Sequence, residues 1–245
     1  MIRGILYWSG GLVFTILITL CFYLLLPLYL VNSDLPHLMI NFWLKVLVKV
    51  FYGVKLEVKG LENITEKQNY IIVSNHRSYT DILFAHAVLP LQFRWLAKIS
   101  LYKIPVFGLA MRIAGYVPVE RAKYISASRS LQLIKDILNQ GRSVWIFPEG
   151  TRTPKEELGK FKRGAFLLAK ETDKPILPVI LVNTDRIFER PYIIRRITVK
   201  AIVLMPVYYS EFKTPGVSER TAIESLSQHL REKIQSHYNT HATKS

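Results

Sequence analysis

His76 and Asp81 stand five positions apart in the segment Asn75-His-Arg-Ser-Tyr-Thr-Asp81. A neutral imidazole, with an ordinary pKa of ~6.5, takes up a proton at physiological pH. It does so best when an acceptor holds its other ring nitrogen. Asp81 is placed to supply that acceptor from the first turn of a following helix. This is the base-and-orienter part of a Ser-His-Asp triad, without the enzyme's own serine. The nucleophile is then a hydroxyl brought by the substrate. Taken alone, the spacing more often marks a helix cap beside a surface histidine, so other residues must support it.

Phe147-Pro-Glu-Gly-Thr-Arg152 is the second constellation. Gly150 allows positive φ or close backbone approach, and Arg152 can grip a phosphate in bidentate fashion. Thr151 lies between them, and Glu149 is expected to organise this cationic loop rather than act as a base. Lys160-Phe-Lys-Arg-Gly164 adds three cations, Lys162 among them, just before a helix start, a good place for an anion. A solvated basic loop explains the same residues. The third constellation is Gly115-Tyr-Val-Pro-Val-Glu-Arg121, where Arg121 ends an apolar segment. His86, beyond the pair, reads as a packing or surface residue.

These segments need elements to position them. Lys55–Lys59 alternates as a short strand, and Tyr70–Ser74 is a compact, β-branched run that reads as a buried one. Residues 81–88 look helical, 93–97 extended, 125–140 helical and 143–147 extended. A helix over 164–171 and strands over 176–182 and 197–205 follow. A terminal amphipathic helix carries Ile223, Leu226, Leu230 and Ile234, with Thr221 and Glu224 as a capping box. Alternating strands and helices predict an α/β domain with a largely parallel sheet flanked by helices. His76 and Phe147 then both follow buried strands, and ligands gather at the carboxyl ends of such strands.

The N-terminus is different. From Gly4 to Ser33 there is no charged residue, although Pro27 interrupts a single helical rod. A second helix, about Pro36 to Tyr52, carries a polar stripe of His37, Asn41, Lys45 and Lys49. That stripe suits an interfacial helix with cations at headgroup level; the alternative is a helix packed on the catalytic domain through its apolar face. We expect residues 1–54 to form a two-helix membrane-anchoring segment and residues 55–245 the catalytic domain. The first helix either spans the bilayer or turns near Asn32-Ser33-Asp34 into a hairpin within one leaflet. Arg3 precedes the apolar run and Lys45, Lys49, Lys55 and Lys59 follow it, which places the domain on the cytoplasmic side. In a bacterium this is the inner membrane.

Composition agrees. Half of the residues are hydrophobic and the formal net charge is +15. Such a chain is drawn to a polyanion, and the apolar N-terminus favours an anionic membrane over nucleic acid. The single cysteine, Cys21, excludes an intrachain disulfide and any zinc site built on several cysteines.

The segments resemble the four blocks of the glycerolipid acyltransferase family, whose bacterial members include 1-acylglycerol-3-phosphate acyltransferases. Asn75, His76, Ser78 and Asp81 match the first block, and 147–152 match the third in full. Gly115 to Arg121 resembles the second, with Pro118 and Glu120 as departures. Ile176-Leu-Pro-Val-Ile180 resembles the fourth. The resemblance implies an acyltransferase in which His76 deprotonates the sn-2 hydroxyl of lysophosphatidate and Asp81 fixes its tautomer. The hydroxyl attacks acyl-CoA or acyl-carrier protein as co-substrate. Arg121 would hold the acceptor phosphate, assisted by Arg152 and Lys162, and no metal or bound cofactor is implied. Leu101, Ile104, Phe107 and Met111 would line a groove for one acyl tail or pack in the core. Competing readings are another lysophospholipid or glycerol 3-phosphate as acceptor, a membrane-tethered lipid hydrolase, and a non-catalytic lipid-binding protein. No Gly-x-Ser-x-Gly nucleophile elbow supports hydrolysis.

Overall fold

The computed structural model of the chain describes residues 2–119, 128–153, 157–190, 193–194 and 197–242. The N-terminal elements are α1 (Ile2–Leu24), α2 (Leu26–Val31) and α3 (Leu35–Val46). The rod breaks at Leu25, and Pro27 sits in the first turn of α2, where its missing N–H costs nothing. The chain turns at residues 33–34, and α3 runs on into a wider π-helical turn, Leu47–Phe51. Phe51 packs on Gly10 and Gly11 of α1, where a Cβ at Gly10 would lie 3.0 Å from its ring.

The α/β region begins with β1 (Lys55–Lys59), β2 (Ile71–Ser74), α4 (Asp81–Val88) and β3 (Phe93–Lys98). It continues with α5 (Phe107–Ile113), β4 (Val117–Val119), α6 (Ser128–Asn139) and β5 (Ser143–Ile146). Then come α7 (Gly164–Thr172), β6 (Ile176–Val182), β7 (Phe188–Arg190), β8 (Ile193–Ile194), β9 (Thr198–Val203) and α8 (Glu219–His241).

Seven strands form one sheet in the order β1-β9-β6-β2-β5-β3-β4. All neighbours are parallel except β6 and β9, which pair antiparallel; the sequence pattern carries no sign of that reversal. Both faces are covered. Ile71, Val73, Val144 and Ile146 meet Ile134, Phe166, Leu226 and Leu230 on the side of α6, α7 and α8. Tyr70, Ile72 and Trp145 meet Ala85, Val88, Phe93 and Trp95 on the side of α4. Burial on both faces explains why β2, β5 and β6 read as continuous apolar runs. From β2 the chain crosses to β3 on one side, and from β5 it crosses to β6 on the other. The carboxyl ends of adjacent β2 and β5 are therefore a topological switch point, where open α/β sheets form their crevices.

Two expectations need correcting. The cap of α8 is Ser218, whose Oγ accepts from Thr221 N at 3.1 Å, so Thr221 lies inside the helix and Glu224 pairs with Arg220 and Arg163. The polar stripe of α3 divides: its uncharged half turns inward, whereas Lys45 is half-buried and Lys49 is exposed. His37 and Asn41 are buried against the domain, whereas Leu38 and Phe42 point outward. The inward face also carries Leu44 and Val48, and Val48 packs with Phe84 and Ala87 of α4.

The turn between α2 and α3 is clamped to the sheet. Asp34 Oδ1 accepts from Arg94 at 2.9 Å and from Arg142 at 2.6 Å. Burial works against the Asp34 carboxylate, but the Arg142 bond and the two guanidinium charges outweigh it and hold its pKa below the usual value. Near the C-terminal end of α1, Tyr23 OH donates to Val106 O, and near its N-terminal end the Trp8 ring stacks on Phe188 with centroids 6.1 Å apart.

Candidate active site

β2 ends at Ser74, and Asn75 fixes how the chain leaves it. The Asn75 amide donates to Leu181 O at 2.8 Å, and its Oδ1 accepts from Leu181 N at 2.9 Å. The side chain thus replaces a rung of the ladder to β6 and frees the backbone to turn. His76 then emerges at the carboxyl edge of the sheet.

Asp81 is the first residue of α4 and is fully buried. Its Oδ2 accepts from Arg77 N at 2.7 Å and Ser78 N at 2.9 Å, and lies 2.7 Å from His76 Nδ1. Two backbone donors therefore aim the carboxylate before the imidazole arrives. An ionised carboxylate only accepts, so Nδ1 carries the proton and Nε2 the lone pair.

The loop after β5 supports the same ring. Phe147 stacks flat on His76, with centroids 3.9 Å apart and planes 9° from parallel. Glu149 Oε1 accepts from His76 N at 3.0 Å, and its Oε2 accepts from Gly159 N at 2.8 Å. Thr153 N donates back to His76 O at 2.8 Å. Gly150 has φ +70, and a Cβ there would lie 2.8 Å from Lys162 Nζ, so the lysine lies directly over it. The Arg152 guanidinium covers the exposed ring of Tyr79, 3.2 Å from its centroid. Thr151 is exposed on the same loop.

The structure thus gathers His76, Asp81, Glu149, Gly150, Thr151, Arg152 and Lys162 around one strand edge. The expected phosphate group Arg121 lies outside the described residues. Arg77 turns away, 4.7 Å over the Tyr238 ring and 3.4 Å from Asp185. Arg163 pairs with Glu224 on α8. The apolar set differs in burial: Met111 is core, Leu101 is half-buried, and Ile104 and Phe107 are exposed. Among the described residues, no group of three His, Cys, Asp or Glu could hold a metal ion. Sequence reasoning missed the anchoring role of Asn75 and the stacking role of Phe147. Their only sequence signals are a polar residue directly after a buried strand and an aromatic ending another.

A family model described as Acyltransferase matches residues 55–182, just over half of the chain. A chloroplastic 1-acyl-sn-glycerol-3-phosphate acyltransferase of Brassica napus is 33% identical over 178 residues, covering 71% of this chain and 51% of that protein. A 1-acyl-sn-glycerol-3-phosphate acyltransferase of Borreliella burgdorferi is 38% identical over 136 residues, 56% of this chain and 54% of that one. The chain thus spans about half the length of these curated relatives. The crystal structure of the 1-acyl-sn-glycerophosphate (LPA) acyltransferase PlsC from Thermotoga maritima superposes with TM-score 0.66 at 23% identity, covering 92% of this chain and 96% of that one. That likeness carries the α/β fold.

Proposed function

The chain belongs to the acyltransferase family, and on that footing we propose that it transfers an acyl group from a thioester to the sn-2 hydroxyl of lysophosphatidate, giving phosphatidate. The relatives' names supply the acceptor. The observation that carries the chemistry is the buried His76–Asp81 pair, 2.7 Å apart, with the carboxylate already held by two backbone amides.

In this reading His76 Nε2 takes the hydroxyl proton as the oxygen attacks the thioester carbonyl. The proton on Nδ1 stays on the ring, donated to the Asp81 carboxylate, which stabilises the imidazolium electrostatically. The tetrahedral intermediate collapses, the C–S bond breaks, and the departing thiolate recovers the proton from Nε2. Acyl-CoA and acyl-carrier protein both supply such a thioester. The acceptor phosphate falls to Arg121, Arg152 and Lys162. Glu149 shapes the loop that presents them, and no metal or bound cofactor enters the scheme.

The N-terminal helices serve as the membrane anchor. The window Tyr7–Leu24 is the one candidate span among the described residues. Yet α1 touches the domain near both ends, through Trp8 and Tyr23, about 22 Å apart at 1.5 Å per residue. A helix held against its domain over that length cannot cross a bilayer while the domain stays in water. This favours the hairpin, seated in one leaflet. The basic residues that follow it support the cytoplasmic leaflet.

The test is direct. Purified protein is given lysophosphatidate with acyl-CoA or with acyl-carrier protein, and products are resolved by mass. Phosphatidate is expected with the wild type, and its formation should fall at least ~10³-fold in folded His76→Ala. Free fatty acid as the main product, or near-normal turnover in the variant, overturns the reading.

A further inference from the structure

The face of the His76 ring rests on Phe147, and the contacts behind Phe147 lead to the membrane hairpin. Trp95 of β3 stacks against Phe147, with centroids 5.4 Å apart and planes 23° from parallel. The Trp95 indole N–H donates to His86 Nε2 at 2.7 Å. His86 Nδ1 in turn lies 2.6 Å from Asn41 Oδ1. His86 is on α4, Asn41 is on α3, and both are buried.

This chain of contacts has a fixed polarity. An indole N–H can only donate, so His86 Nε2 must carry a lone pair. The neutral ring then has its proton on Nδ1, and Asn41 must present its amide oxygen. A protonated His86 would set N–H against N–H. Burial keeps the ring neutral, and the neighbouring His37 and Arg94 add to that effect.

Helix α4 therefore touches the base in two ways. Its first residue, Asp81, holds the edge of the His76 ring. One turn on, His86 holds the indole that backs Phe147, and Phe147 holds the face. We propose that His86, with Asn41, is a positioning residue for the base, transmitting the docking of α3 to the orientation of His76 through Trp95 and Phe147. This rests on reading His76 as the base. Without the His86–Trp95 bond the indole can rotate, Phe147 loses its backing, and the His76–Asp81 pair samples a wider range of angles. Misplacing a reacting group by ~1 Å costs up to ~10²-fold in rate.

The experiment uses the full-length chain in detergent. His86→Phe keeps a ring of similar bulk but offers neither donor nor acceptor. His86→Gln restores both, since its amide oxygen can accept from Trp95 and its NH₂ can donate to Asn41. In His86→Phe, kcat for acyl transfer should fall about 10- to 100-fold with KM changed less than about twofold. His86→Gln should recover most of the loss, and Asn41→Leu should act in the same direction as His86→Phe. A second readout needs no turnover: the ¹⁵N signals of the His76 imidazole should broaden or shift in His86→Phe and return to wild-type positions in His86→Gln. A wild type that transfers no acyl group would sink the functional reading while leaving this readout intact. Unchanged His76 signals and kcat in His86→Phe would overturn the relay. So would equal loss of activity and melting temperature in both variants, which would reduce His86 to packing.

Discussion

A single carboxylate, Glu149, is bound at both oxygens by backbone amides from two different segments. Replacing it with glutamine keeps the shape but turns one acceptor into a donor, which then faces an N–H. A buried donor left unmatched costs about 1–3 kcal/mol. Glu149→Gln should therefore lower the melting temperature and reduce kcat for acyl transfer about tenfold or more, because the displaced amide belongs to His76. A variant with wild-type melting and kcat would show that the loop needs no such clasp. At this scale the sequence was informative about identity and silent about partners. His76, Asp81 and Gly150 stand out by type and spacing. That Glu149 reaches back across 73 positions to His76 N depends on two strands being neighbours, which no local pattern encodes.

Helix α3 shows where periodicity runs out. A repeat of four separates a polar from an apolar face, but it does not say which face is buried. The buried face is mixed: Asn41 and His37 meet His86, Phe93 and Tyr116 on elements far along the chain, beside the apolar Leu44, while Lys49 stays exposed. Burial drives the pKa of His37 from 6.5 down to about 3, with the Arg94 charge adding to it; a backbone bond to Leu91 and the Asp34 charge oppose the shift. The sign follows directly. The unfolded histidine gains its proton near 6.5 and the folded one only near 3, so the unfolded state binds more protons between those values. Stability from this site is therefore complete above pH 7 and is lost as pH falls from 6.5 toward 3. By pH 5 the loss is about 2 kcal/mol. Thermal unfolding in detergent at pH 7.5 and pH 5 should show that drop in the wild type and a smaller one in His37→Phe. Equal drops would remove His37 as the cause. The strands, by contrast, could be read closely, since two-sided burial leaves unbroken apolar runs in the sequence. The strand at β9 was legible but its antiparallel direction was not, because direction leaves no mark in composition, and the short β4, β7 and β8 carry too few residues to show a pattern.

For the whole molecule, the outward side of the N-terminal helices is the surface that bears on membrane association. Leu12, Ile16 and Leu20 recur every four residues along α1 and are 62%, 52% and 57% exposed. Leu38 and Phe42 continue that surface on α3, and Val106, Phe107 and Leu109 are exposed near the Tyr23 contact. An apolar surface of this extent marks a membrane contact. The net charge of +15 adds a salt-sensitive attraction to anionic lipid. Sedimentation with vesicles should show tighter binding to phosphatidylglycerol than to phosphatidylcholine, with the difference narrowing in ~0.5 M salt. Leu12→Asp, Ile16→Asp and Leu20→Asp combined should release the protein from both. Retention of the triple variant on phosphatidylcholine would place the contact elsewhere.

The burial of Asn41 on α3 also bears on biosynthesis. Asn41 leaves the ribosome 45 residues ahead of its partner His86. At about 5–20 residues per second that interval lasts roughly 2–9 s. During it the exposed apolar side can already meet lipid, while Asn41 still lacks His86. On the proposed anchoring, insertion can thus precede closure of the α/β domain, which would then be completed against helices already seated in the membrane.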